Sequence, residues 1–161
     1  MSERSNIHAT GIVLGTRGLI LRGPSGAGKS LLALALLDAW EIRGEEARLV
    51  SDDRIDIEAT QAGLLMHAPA AIAGLIELRG RGIVSRPHLA RARLHLVVDL
   101  VDRLDRMVEE DELATELLGL PVPRCPVPQI GVTGAVHQML LIGEALRALS
   151  TPKSRLGQKS T

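Results

Sequence analysis

At 161 residues the chain is long enough for one domain with a core that needs no disulfide or metal staple. Hydrophobic residues at 45% against 24% charged exclude a disordered chain, and 19 Lys and Arg against 19 Asp and Glu exclude a bulk field drawing it to nucleic acid or a membrane surface. The sole Cys125 excludes an internal disulfide, and with no apolar signal segment in MSERSNIHAT and no run near the roughly 20 residues of a membrane span, a cytoplasmic protein is expected.

Thr10–Leu14 and Gly18–Leu21 are apolar runs parted by Gly15-Thr16-Arg17, a hairpin pattern whose second strand runs into a glycine-rich loop. Lys29 to Trp40 is rich in Leu and Ala and predicts a well-buried helix. Ala47–Val50 begins a strand ending at Ser51-Asp52-Asp53, Arg54 to Glu58 alternates as a half-buried strand does, and Gln61 to Ala73 has room for a further hairpin. Gly74 to Ser85 reads as a loop between short strands, and Leu94 to Leu100 as a central strand. Arg103 to Leu118 is charged and helix-compatible. Four prolines exclude a helix over Leu120 to Val132, and Thr133 opens a terminal helix to Leu149 as its cap. Residues 150–161 are expected to form a disordered tail. The whole predicts a single α/β P-loop domain, residues 1–149, with a mixed central sheet flanked by helices.

Gly23-Pro24-Ser25-Gly26-Ala27-Gly28-Lys29-Ser30 satisfies G-x-x-x-x-G-K-[ST] between a strand and a helix, where that motif belongs. Its glycines let backbone N–H groups approach phosphate oxygens, Lys29 brings a cation to the terminal phosphates, and Ser30 offers a hydroxyl to Mg²⁺. Trp40 is the only aromatic besides the histidines, so an adenine ring finds no Phe or Tyr to stack on. A magnesium–nucleotide site also needs a carboxylate at a neighbouring strand end. Leu94 to Asp99 has the apolar-run-then-Asp shape, whereas Arg48 to Asp53 ends in paired acids that serve proton transfer as well as metal binding. Periodicity leaves both open. His67, His88, His95 and His137 show no metal-ligand spacing with Cys125, which reads as a structural thiol.

Ile7 to Ile83 resembles the catalytic domain of HPr kinase/phosphorylase. The blocks that carry the likeness are Ile7-His8 with the GPSGAGKS loop, Leu49 to Asp56, and Gly74-Leu75-Ile76-Glu77-Leu78-Arg79-Gly80-Arg81-Gly82-Ile83. The resemblance implies a Mg²⁺- and ATP-dependent serine kinase acting on HPr or an HPr-like phosphocarrier of the phosphotransferase system. It implies Asp53 as the acid–base residue, Lys29 as the phosphate-binding residue, and Ser30 and Glu77 at the metal with Asp52 completing its shell. By the same likeness His8 belongs to the active site, Arg103 is a catalytic arginine, and the assembly is a hexamer. The chain resembles a catalytic-domain-only, N-terminally truncated form. Pro126 to Gly131 stands where the family has an arginine-containing segment tied to dephosphorylation, so weak phosphorylase activity is expected. Arg79 to Gly82 is expected to contact a phosphate or a partner. The rival readings are a generic P-loop ATPase using Asp99 and a non-enzymatic nucleotide-sensing regulator.

Overall fold

The computed structural model describes residues 3–150. In chain order the strands are β1 (Glu3–Ile7), β2 (Thr10–Leu14), β3 (Arg17–Arg22), β4 (Ala47–Ser51), β5 (Ile55–Thr60), β6 (Gly63–His67), β7 (Leu75–Leu78), β8 (Gly82–Ser85), β9 (Arg91–Arg93), β10 (Leu96–Val101), β11 (Ala114–Leu117) and β12 (Leu120–Pro128). Helix α1 (Lys29–Ile42) follows β3, and α2 (Ala135–Ser150) follows β12. The central sheet has the order β11-β12-β10-β3-β2-β4, a second sheet runs β1-β5-β6-β9, and β7 and β8 pair only with each other. β10 is parallel to β3 and β12 while β2 is antiparallel to both its neighbours, so the central sheet is mixed.

Side-chain alternation along the central strands builds three layers. Leu19, Leu21, Leu96, Val98 and Leu100 pack with Leu32, Leu36, Leu37 and Trp40 of α1 and Ile142 of α2. The residues between them, Ile20 and Val97, face the other way and pack with Ile55, Ile57, Leu64 and Met66 of the second sheet. The helices thus cover one face of the central sheet, and the second sheet covers the opposite face. No Phe or Tyr is needed, because branched aliphatics fill both interfaces.

The hairpin β2–β3, helix α1 and the strands over 47–51 and 96–101 lie where the sequence predicts them. Two expectations fail. Residues 103–118 form no α-helix: a single 3-10 turn spans Glu110–Leu113 and β11 follows directly. Leu104, Met107 and Val108 begin a helical spacing, but the next position on that face is Asp111, so a helix would have no apolar stripe to bury. Thr133 is not the cap of α2. Its hydroxyl is engaged with His137 Nδ1 at 2.8 Å, and the first helical bond runs from Gln138 N–H to the Gly134 carbonyl. The space for a hairpin after Gln61 is taken by β6, which turns back on β5. Strand β1, not expected from the sequence, pairs with β5 along its whole length. The expected tail lies outside the described residues except Ser150, which ends α2. Among the described residues no helix is long and apolar enough to cross a membrane.

Candidate active site at the phosphate loop

The parallel strand β3 ends at Arg22, opposite Asp99 of β10, and the chain leaves β3 straight into the glycine loop. Gly26 (φ +82°) and Gly28 (φ +92°) occupy left-handed backbone that L side chains avoid, and Gly28 stands immediately before α1. Gly23 is required for a different reason. A Cβ there would lie 3.0 Å from Leu100 Cβ and 3.4 Å from Ala27 Cβ, so this glycine serves close packing against β10. Lys29 is buried at 7% exposure, and its ammonium donates to the Gly23 carbonyl at 2.9 Å and the Pro24 carbonyl at 3.2 Å. The side chain is therefore held across the mouth of its own loop.

The paired acids are separated by a turn that makes both usable. Asp53 has φ +70°, a left-handed conformation that Asp tolerates better than most residues. Breaking the strand here removes the alternation that would send Asp52 and Asp53 to opposite faces. Asp52 accepts from Ser30 Oγ at 2.7 Å and Thr10 Oγ1 at 3.0 Å, and from the Glu77 N–H at 3.3 Å. The Thr10 hydroxyl in turn accepts the Asp53 N–H at 3.2 Å. Asp53 Oδ1 is paired with His8 Nε2, both side chains remaining more than half exposed. Ser25, Lys29, Ser30, Asp52, Asp53 and Glu77 line one cavity of about 450 Å³. The structure thus gathers the predicted phosphate, metal and base residues round a single space, with His8 behind Asp53.

Asp99, the alternative acid, is already spoken for. Arg22 reaches both of its oxygens, Nε to Oδ1 at 2.7 Å and Nη2 to Oδ2 at 2.8 Å, and Arg124 Nε reaches Oδ2 at 2.6 Å. Burial pushes the Asp99 carboxyl up, but hydrogen bonds and charge from the two arginines outweigh it and hold the group below the usual carboxylate range. A carboxylate so neutralised has no charge left for a metal. Arg103 is not brought to the phosphate cavity: it is exposed, pairs with Asp105 at 3.2 Å, and lines a smaller space of about 180 Å³ with Arg124. Cys125 is buried, which pushes its thiol up to about 11 despite the nearby Arg124 charge, so it stays protonated and inert.

Thr10 escapes sequence reading, being fully buried and fixing both acids at once. An ordinary strand threonine gives no signal until the fold brings it to Asp52. Leu31 and Ile130 also line the cavity, as the exposed apolar part of its rim. The donor set suits Mg²⁺, for Ser30, Asp52 and Glu77 offer hard oxygens. Among the described residues no three His, Cys, Asp or Glu cluster closely enough to cage an ion alone. Mg²⁺ keeps waters and substrate oxygens in its shell and is held by few protein ligands, so these residues fit it.

A family model described as the HPr Serine kinase C-terminal domain matches residues 1–151. The HPr kinase/phosphorylase of Streptococcus thermophilus is 35% identical over 144 residues, covering 80% of this chain and 43% of that protein. That of Lactobacillus acidophilus is 27% identical over 169 residues, covering 100% of this chain and 50% of that protein. The chain spans about half the length of the curated relatives it matches. A solved structure described as the Hpr(Ser) kinase/phosphatase from Coxiella burnetii superposes with a TM-score of 0.71 at 28% identity, over 97% of this chain and 93% of that one.

Proposed function

The chain belongs to the HPr Serine kinase C-terminal domain family, and on that premise we propose that it is a cytoplasmic, Mg²⁺- and ATP-dependent serine kinase of HPr or an HPr-like phosphocarrier. The observation that carries this reading is the Asp52–Asp53 turn. It presents two carboxylates free of arginine to the cavity that holds Lys29 and Ser30, while Asp99 is consumed by Arg22 and Arg124. When bound, magnesium–ATP supplies the transferable phosphoryl group and a neutralising divalent charge. The loop glycines and Lys29 bind the phosphates, and Ser30, Asp52 and Glu77 hold the ion. Asp53 takes the proton of the incoming serine hydroxyl as its oxygen bonds the terminal phosphorus and the bond to the diphosphate leaving group breaks. His8 keeps the Asp53 carboxylate aimed into the cavity. Most of the acceleration comes from positioning and charge.

The reverse reaction brings inorganic phosphate to a phosphoserine, two anions that need cations between them. Pro126 to Gly131 offers none, and Gln129 N–H is spent on the Val101 carbonyl. Phosphorylase activity is accordingly weak or absent in this reading. The test is incubation with HPr, Mg²⁺ and γ-labelled ATP, followed by mapping the label. A labelled serine on the carrier supports the kinase. Label released only as phosphate returns the ATPase reading, and no turnover with tight nucleotide binding returns the sensor. Presenting serine-phosphorylated HPr with phosphate, and finding pyrophosphate released as fast as the forward reaction runs, would remove the directional part.

A further inference from the structure

The phosphate cavity has an acid side and an apolar side, and the sheet order separates them. From β3 and its loop the central sheet runs one way through β2 to β4, which Asp52 and Asp53 follow, and the other way through β10 to β12. Beyond β12 the chain turns back toward the loop. Gln129 N–H donates to the Val101 carbonyl at 2.8 Å, and the N–H groups of Val132 and Thr133 donate to the Gln129 carbonyl at 3.0 and 3.3 Å. This pinned turn sets Ile130 against the loop, where a Cβ at Gly28 would lie 3.1 Å from Ile130 Cγ2. Ile130 is still 48% exposed, and Leu31, the residue after Ser30, is 46% exposed. Both line the cavity.

The phosphoryl group in transfer must face Asp53, and the ion must sit among Ser30, Asp52 and Glu77. The nucleoside end of the donor then leaves the loop on the side away from the acids, toward Ile130 and Leu31. A nucleobase has two flat faces that stack and a polar edge, and a protein tells one base from another by hydrogen bonds at the edge. The apolar side offers cover for a face and nothing for an edge. Among the described residues that line the cavity there is no Asn, Gln or aromatic side chain. Its charged groups are Lys29 in the loop and the cluster of Asp52, Asp53, Glu77 and Arg79 on the acid side. Trp40 is in the core at 6% exposure. Resting on the kinase reading, which it deepens, we infer that Ile130, with Leu31 as a second contact, is a shelf for one face of the nucleobase, and that the site selects the triphosphate and not the base. GTP is then a phosphoryl donor alongside ATP. Base contact and base choice are separable here. Covering aliphatic surface strengthens the binding of any ring, whereas rejecting a wrong base needs polar groups which that base would leave unpaired.

Calorimetry with Mg²⁺ and non-hydrolysable analogues of ATP and GTP, or inorganic triphosphate, tests this on wild type, Ile130→Ala, Ile130→Leu and Leu31→Ala. Inorganic triphosphate has the phosphates and no base, so it separates the shelf from the loop. Wild type is expected to bind the two nucleotides within about fivefold of each other. Ile130→Ala weakens both nucleotides by about three- to tenfold and inorganic triphosphate by less than about twofold, since cover over the ring is lost and the phosphate contacts are kept. Ile130→Leu restores most of the nucleotide affinity, and Leu31→Ala repeats the alanine pattern at smaller size. A preference of more than about fiftyfold for one base, as polar readout gives, overturns the inference. So does an Ile130→Ala variant that binds nucleotides as wild type does, or that weakens inorganic triphosphate as much as ATP. Label transfer to HPr from γ-labelled ATP and GTP keeps the two readings apart. The expected affinities with no labelled carrier sink the kinase reading and leave the shelf standing, whereas transfer from ATP with GTP excluded removes the shelf and leaves the kinase. Wild type that binds none of the ligands removes both.

Discussion

Asp99 within β10 and the acid pair just after β4 lie on either side of the phosphate loop in very different surroundings. Asp99 closes an apolar run and is clasped by Arg22 from the neighbouring strand and Arg124 from β12, with 16% of its side chain exposed. Asp52 and Asp53 follow a less apolar strand, sit in a strained turn, and take their partners from neutral hydroxyls, a backbone N–H and an imidazole. The first arrangement spends a carboxylate on holding strands together. The second keeps both carboxylates clear of arginine and on the wall of the phosphate cavity, where they can meet a divalent ion and a proton. An apolar run ending in Asp says where a carboxylate stands, and only the cations around it say whether it is free to act.

Replacing each acid by its amide tests that contrast most directly. Asp53→Asn is expected to lower phosphoryl transfer by about a hundred- to ten-thousand-fold, because the amide cannot accept the serine proton. ATP affinity measured by calorimetry should hardly change. If Asp53→Asn transfers at the wild-type rate while Asp99→Asn is dead, the assignment of the two strand ends is reversed.

Lys29→Ala comes next in size. The loop loses its only ammonium, and with it charge-assisted bonds to the phosphates, so affinity for ATP should fall by about ten- to a hundredfold. Unchanged binding by a folded Lys29→Ala variant would mean that the loop holds no phosphate.

Asp99→Asn should leave chemistry largely intact and show itself as lost stability. Breaking a fully buried ion pair costs about 3–5 kcal/mol. Here the arginines keep 21–29% of their side chains in water, so about 1–3 kcal/mol is expected from denaturant unfolding. A destabilised variant with near-normal transfer supports the structural role of Asp99. A stable one with no transfer would make it the metal acid after all.

Much of this architecture is legible in the amino-acid sequence. The hairpin, the phosphate loop and α1 follow from apolar runs, a fixed motif and a Leu/Ala composition, each a local signal. β12 is not legible beyond the exclusion of a helix. Its four prolines are tolerated because residues 120–123 pair only with β11 and 124–128 only with β10, so each half keeps an open edge where a missing N–H costs little. The candidate site divides the same way. Lys29 and Ser30 are fixed by the motif, but the choice between Asp99 and the Asp52–Asp53 pair turns on Arg124, which is 25 residues from Asp99 in the chain. Thr10 joins the site through a tertiary contact that no local pattern encodes.

The residue just before β10 sharpens the contrast from the other end of the strand. His95 is partly buried like Asp99, but no opposite charge answers it. Its Nδ1 accepts the Gly18 N–H at 3.0 Å, which requires that nitrogen to be unprotonated. Burial disfavours the imidazolium, and the positive charges of Arg17 and Arg93 add to the effect, so the folded-state pKa lies below the ordinary 6.5. The sign follows from proton counting. Below about pH 6.5 the unfolded chain binds a proton at this position more readily than the folded one, so stability falls with pH. The contribution is complete above 6.5 and is lost as pH drops through the depressed folded value. Asp99 is depressed too, but from 3.8, so its loss comes only under strongly acid conditions. His95→Asn keeps an acceptor for Gly18 and removes the titration. Between pH 7.5 and 5.5, chosen as roughly one unit either side of the ordinary histidine pKa, its melting temperature should fall less than that of wild type, by on the order of 1–2 °C. Parallel declines in the two proteins would show that the Gly18 contact carries no proton linkage.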